Sequence, residues 1–173
     1  MQQTTSAATE LLDKMALYAK MVDEALNEEM QKYLGSDFYE PLRYALEGGK
    51  RIRPIILLLS NKAAGGCEAD ALKEAVAVEL LHTESIIHDD IIDDETIRRG
   101  KPVFYVAYGF NTSLLTADFV FGIILSIVSR SKKNVAEDLA SAALQMCEGE
   151  IMEMKVEVDN GEVPLDKYLL IVR

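Results

Sequence analysis

Asp89-Asp90-Ile91-Ile92-Asp93 begins seven residues after His82, and Arg98-Arg99 follows five residues after Asp93. Carboxylates in this DDxxD spacing suit a hard divalent cation, and guanidinium forks grip phosphate oxygens bidentately. Metal and arginine are the two things a diphosphate needs, so the stretch predicts chemistry on a pyrophosphate ester. Two basic groups flank it. Upstream is Gly48-Gly49-Lys50-Arg51-Ile52-Arg53-Pro54, and downstream Arg98-Arg99 runs on into Gly100-Lys101-Pro102. The paired glycines let backbone approach a ligand closely, and the helix starting near Pro54 presents its positive end to an anion.

Each motif alone has a bland reading: a solvated acidic helix end, a basic turn, an exposed loop. Their company argues against it. The chain has 18 Lys plus Arg against 29 Asp plus Glu, a formal charge of −11, so two basic clusters run against its own balance. That balance also disfavours nucleic acid and anionic membrane as partners.

The acidic motif falls at the end of a segment, Ala71 to about Asp94, that is apolar on nearly every side. Such a helix is central in its domain, and polar residues within it must be paired or line a cavity. At roughly 100° per residue, His82, Asp89 and Asp93 lie within about 40° of one another, with Asp90 one step aside. Three carboxylates so close raise each other's pKa until a cation relieves them, and oxygen donors favour Mg²⁺ bridging to phosphate. The expectation is that acidic helix and basic loops surround one shared, magnesium-bridged anion. His88 points off this stripe and reads as a satisfied core histidine. Tyr105 and Tyr108 read as packing residues, and Glu150, Glu153 and Glu157 as a solvated face.

The remaining pattern is helix after helix. Leu11, Leu12, Met15, Met21 and Leu26 mark an amphipathic first helix, which Gly35-Ser36-Asp37 breaks. Tyr39–Leu46 and Ile55–Ala64 follow, ended by Gly48-Gly49 and Gly65-Gly66, with Asp70 as cap of the central helix. Two long helices span Ser113–Arg130 and Val135 to about Val158. A turn at Asn160-Gly161 follows, and Pro164 opens a last helix still periodic at Arg173. No alternating run argues for a sheet. The predicted class is all-α, a helical bundle forming a single domain over 1–173. Cys67 and Cys147 fit neither a metal nor a disulfide pattern and read as buried free thiols of a reducing, cytoplasmic compartment. No signal peptide is visible, and Phe119–Val128 is too short to span a bilayer. A terminal helix that stops in mid-pattern suggests a fragment, or a chain that leans on a partner.

In order, spacing and helix placement, Gly48–Pro54, Leu81-His82-Thr83, His88–Asp93 and Arg98–Pro102 resemble the N-terminal half of trans-isoprenyl diphosphate synthases. These are the polyprenyl synthetases, farnesyl and geranylgeranyl diphosphate synthases among them. The match is best from about Leu46 to Asp118. It implies an isoprenoid-synthase bundle and a Mg²⁺-dependent prenyltransferase. In that reaction isopentenyl diphosphate is condensed with an allylic prenyl diphosphate, and the enzyme works as a homodimer. Residue by residue, the resemblance assigns Asp89 and Asp93, assisted by Asp90, to metal. It gives Arg98 to the allylic diphosphate, and Lys50, Arg53, His82 and Arg99, with Arg51 nearby, to isopentenyl diphosphate. Glu84 and Ser85, where family members often carry an aromatic plug, imply a product longer than farnesyl. The sequence departs from the family pattern in places. Gly149-Glu150 and Glu153 stand where Gly-Gln and Asp are usual, Tyr105 stands for a histidine, and only one DDxxD is present. The alternatives are a non-catalytic subunit that binds prenyl diphosphate or a catalytic chain, and a di-iron bundle. The di-iron bundle lacks the Glu-x-x-His pairs it requires.

Overall fold

The structure, a computed structural model, describes residues 2–131, 134–159 and 163–172. The turn expected at Asn160-Gly161, the Glu157 side chain and Arg173 lie outside the described residues. Among the described residues eight α-helices follow in order: α1 Gln2–Gln31, α2 Tyr39–Leu46, α3 Ile52–Ala63, α4 Leu72–Ile92, α5 Phe104–Tyr108, α6 Phe110–Val128, α7 Val135–Asp159 and α8 Leu165–Ile171. The all-α reading holds, with one small exception. β1 Ile97–Arg98 and β2 Lys101–Pro102 form a two-residue antiparallel ladder around Arg99-Gly100, too short to leave an alternating pattern.

These residues fall into two compact units, 1–131 and 132–173. In the first, α4 is the central rod, packed by α6, α3, α1 and α2. It is buried on several sides through Ala75, Val76, Leu80, Leu81 and Ile87, which is why its sequence shows no polar face. The amphipathic α1 buries a single row, Tyr18, Val22, Leu26 and Met30, spaced at one helical turn. At the C-terminal end of α4, Ile87, Phe104 and Ala117 form a cluster against which Tyr44, Ala45 and Tyr108 pack. In the second unit α7 and α8 pack together, and a Cβ at Gly149 would meet the Ile171 carbonyl at 2.8 Å, so glycine sets their closest approach.

Several boundaries differ from expectation for local reasons. Asp70 does not cap α4. It ends a 3-10 turn, Glu68–Asp70, where its carboxylate accepts from the Cys67 thiol at 3.0 Å, and Ala71 is the N-cap. Both cysteines are exposed rather than buried. α6 starts at Phe110 rather than Ser113 because Gly109, at φ +84, separates it from the short α5. With Thr116 and Asp118 counted in, α6 is long and apolar enough to cross a membrane, with mean hydropathy 1.7. Its inner face, Ala117, Val120, Ile124 and Ile127, is instead buried in the protein, and α4 is its main partner.

Candidate active site

Three segments of the first unit meet at one end of α4. The glycine pair leads into α3 through Gly49 at φ +96 and Arg51 at φ 51, a left-handed N-cap. β1 and β2 close over Arg99, also left-handed at φ 54. The two loops are stitched together. Tyr44, seated on Phe104 and Tyr108, donates its hydroxyl to the Pro102 carbonyl at 2.6 Å, and Lys101 reaches Glu47 at 2.7 Å. The exposed ion pair adds little energy, but together with the Tyr44 bond it fixes where the second basic loop lies.

Between the loops and α4 lies a hollow of about 500 Å³ lined by Gly48, Gly49, Lys50, Arg53, His82 and Arg99, among others. A Cβ on Gly49 would sit 3.1 Å from Arg51 Nη1 and 3.4 Å from Arg99 Nη1, so the backbone passes between two guanidiniums. Arg53 Nη1 lies 3.0 Å from His82 Nε2. Guanidinium can only donate, so Nε2 accepts and the ring is neutral with its proton on Nδ1. Burial first, then the charges of Arg53 and Arg99, hold the His82 pKa down to about 4. A wall of cations that keeps a histidine neutral is built for an anion.

The same shift predicts a pH dependence. The unfolded ring titrates near its ordinary 6.5 and the folded ring near 4, so between these values the unfolded chain binds more protons. This contribution is whole above about pH 6.5 and is lost as pH falls toward 4. After allowance for solvent screening it is on the order of 2 kcal/mol. Urea unfolding at pH 7 and pH 4.5 is expected to show that much less acid sensitivity in His82→Gln. Equal sensitivity in the variant would contradict it.

The acidic motif sits roughly two turns further along α4. The helix ends at Ile92, yet the Asp93 N–H still bonds the Asp89 carbonyl at 2.8 Å and keeps Asp93 one turn above Asp89. Burial first, and Asp93 next, push the Asp89 carboxyl above its usual range. Asp90 behaves differently. It is 3% exposed and accepts from Arg98 Nε at 2.6 Å. Arg98's terminal nitrogens have no hydrogen-bond partner among the described residues.

These placements correct the expectation at three points. The carboxylates do not line the cationic hollow, so one shared anion is replaced by two adjoining places. Arg98 lies between them, its charge felt by both His82 and Asp89. The trio Asp89, Asp90 and Asp93 is not a ready-made metal cluster, and no group of three or more metal-binding side chains occurs among the described residues. Asp90, one step round the helix, pairs with Arg98 and leaves Asp89 and Asp93. Arg51 borders the hollow but is only 9% exposed, its guanidinium bonded to Asp23, Glu79 and the Leu46 carbonyl. Two outward carboxylates, one strained by burial and repulsion, still fit a hard cation that takes its remaining ligands from phosphate and water. His88 is not a core residue, its side chain being 39% exposed, but it does have a partner, Glu84 one turn back at 3.0 Å, which also accounts for a carboxylate in that greasy stretch.

Glu79 was legible as a charge in an apolar helix that demands a partner. Asp23, Tyr44 and Glu47 carried no signal, because each looks like an ordinary helix-surface residue.

Residues 36–173 match the model of the polyprenyl synthetases. The chain belongs to the polyprenyl synthetase family. Among its relatives in the family is a short chain isoprenyl diphosphate synthase of Methanothermobacter thermautotrophicus, 35% identical over 166 residues, covering 92% of this chain and 51% of that one. The geranylgeranyl pyrophosphate synthetase of the archaeon Geoglobus acetivorans superposes with a TM-score of 0.85 at 32% identity, over 91% of this chain and 54% of that one. A polyprenyl synthase from Caulobacter crescentus, solved in complex with calcium and isoprenyl diphosphate, superposes with a TM-score of 0.78 at 28% identity, over 92% and 50%. This polyprenyl synthetase thus spans about half the length of the curated relatives it matches. Its two signature loops and acidic helix fall within that matched half.

Proposed function

We infer that these residues form the substrate-binding half of a prenyltransferase that condenses isopentenyl diphosphate with an allylic prenyl diphosphate. The observation that carries this reading is the cationic hollow beside the Asp89–Asp93 wall, joined by Arg98. In the reaction the allylic C–O bond breaks, pyrophosphate leaves, a C–C bond forms to the isopentenyl double bond, and a proton is lost. Lys50, Arg53, His82 and Arg99 hold the isopentenyl diphosphate, and a bound anion lets His82 take up a proton that its cationic neighbours otherwise refuse. Arg98 directs its free nitrogens at the allylic diphosphate and counters the charge that grows on it as it leaves. Asp89 and Asp93 would hold Mg²⁺, which supplies Lewis-acid stabilisation of that leaving group.

A second copy of the chain is the partner that suits α6. Phe110, Leu114, Phe121 and Leu125 form an exposed apolar row on one helix face, with exposures of 53, 39, 46 and 52%. Two unpaired cysteines are compatible with a reducing, cytoplasmic setting.

These residues are expected to bind diphosphates in the cationic hollow. Calorimetry with inorganic pyrophosphate and isopentenyl diphosphate tests the reading. Binding is expected in the unaltered chain and is expected to weaken about tenfold in Arg53→Met, the loss of one charge-assisted contact. Absence of binding in the unaltered chain would remove the diphosphate assignment.

A further inference from the structure

The geometry points to Arg51 as a positioning residue, locked by Asp23 and Glu79, that holds Lys50 and Arg53 in the diphosphate hollow through its own bonds to three helices. The inference rests on the diphosphate reading of that hollow and adds two residues, Asp23 and Glu79, that lie outside every motif.

Each of the three nitrogens of the Arg51 guanidinium makes one bond, using three of its five N–H donors. Nε donates to Asp23 Oδ1 at 2.7 Å, Nη1 to Glu79 Oε1 at 2.7 Å and Nη2 to the Leu46 carbonyl at 2.6 Å. Each partner comes from a different helix, α1, α4 and the end of α2. The guanidinium is therefore a three-way joint beneath the glycine loop. A planar fork with fixed donors can serve as such a joint, whereas an ammonium cannot. One N–H on each terminal nitrogen remains, but the group is 9% exposed and its charge is already met by Asp23 and Glu79, the latter 5% exposed and costly to leave unpaired.

The backbone explains why the joint is needed. Residue 51 sits at φ 51, a conformation unfavourable for a side chain with a Cβ, and it persists only if its surroundings impose it. This one residue separates Lys50 from Ile52-Arg53, so its dihedral sets where both cations point. Without the joint, residue 51 relaxes to negative φ and the two cations on either side of it no longer converge on His82. Misplacement of about 1 Å at such a site is costly.

The test exploits a difference in sign. Removing acid beside a cationic pocket should strengthen anion binding by simple electrostatics, and would strengthen it further if a freed Arg51 became a ligand. A lost joint weakens binding instead. Calorimetry with inorganic pyrophosphate is compared for the unaltered chain, Asp23→Asn, Glu79→Gln and Arg51→Lys, with melting temperatures recorded alongside. Asp23 is half exposed, so Asp23→Asn tests the joint even where Glu79→Gln fails to fold. The expected result is binding about tenfold weaker in Asp23→Asn and in Arg51→Lys, which keeps the charge but loses the fork. Unchanged or tighter binding in folded Asp23→Asn overturns the inference and leaves the diphosphate reading standing. No binding by the unaltered chain removes both.

Discussion

Asp89→Asn is expected to weaken magnesium-dependent binding of an allylic diphosphate by on the order of a hundredfold while leaving the folded chain slightly more stable in the absence of metal. The two effects have one cause. Burial and the neighbouring Asp93 hold the Asp89 carboxyl above its usual range, which means its charged form is destabilised in the metal-free fold. Asparagine removes that repulsion and with it the charge of one of the two carboxylates proposed to hold the cation. Calorimetry of geranyl diphosphate with and without Mg²⁺, beside thermal melts, reads both effects. Mg²⁺ with diphosphate is expected to raise the melting temperature of the unaltered chain and not that of the variant. A variant that binds as before in Mg²⁺ would disprove the metal assignment. One whose metal-free melt falls would disprove the account of the shift.

Arg98→Met is the second large effect, and it is on stability as well as binding. Asp90 is 3% exposed, and its one ion-pair partner is Arg98 at 2.6 Å. Removing the guanidinium leaves a buried carboxylate alone, at a cost of about 2–3 kcal/mol once the partial exposure of Arg98 is taken into account. Burial holds the Asp90 pKa above its usual value even with Arg98 present, and without Arg98 it must rise further. A folded-state pKa above the unfolded one means the folded form binds more protons in that window, so stability falls as pH rises through it. The deficit of Arg98→Met should therefore be full at neutral pH and shrink as the solution is acidified. Asp90→Leu combined with Arg98→Met should recover most of it, because the unpaired charge is gone. Urea titrations of the unaltered chain and the two variants at pH 7 and pH 5 check this, and a deficit independent of pH would show that it does not come from Asp90.

The helices were legible because their signals are local. Gly35, Gly48-Gly49 and Gly65-Gly66 lie between helices, and the apolar character of Val76–Ile87 marked α4 as the central element. Residue types at the site were legible for the same reason. Lys50, Arg53, His82 and Arg99 do share one hollow. Direction was not legible. Neighbouring residues can differ in burial, as exposed Lys50 and buried Arg51 do, and a helix turns about 100° between Asp89 and Asp90, so a motif read as a block mixes groups open to a ligand with groups tied into the core. The partners that decide the matter are far away in sequence. Asp23 lies 28 residues before Arg51, and Tyr44 lies 58 residues before the Pro102 carbonyl it holds. Pairings at that range leave no periodicity to read. The cysteines failed for a related reason. Composition says that thiols are usually buried, but Cys67 lies in a loop where Asp70 offers its thiol an acceptor.

The bond from Asp23 to Arg51 places part of the ligand cradle's support inside the first thirty residues, where no signature begins. Met30 lies seven residues after Asp23 in the same helix. A shorter product begun there would keep every motif from Gly48 to Pro102, so a pattern scan would score it as intact. It would nonetheless lack the carboxylate behind Arg51. Gene boundaries and expression clones for such proteins are therefore better drawn from the first helix than from the first recognised glycine.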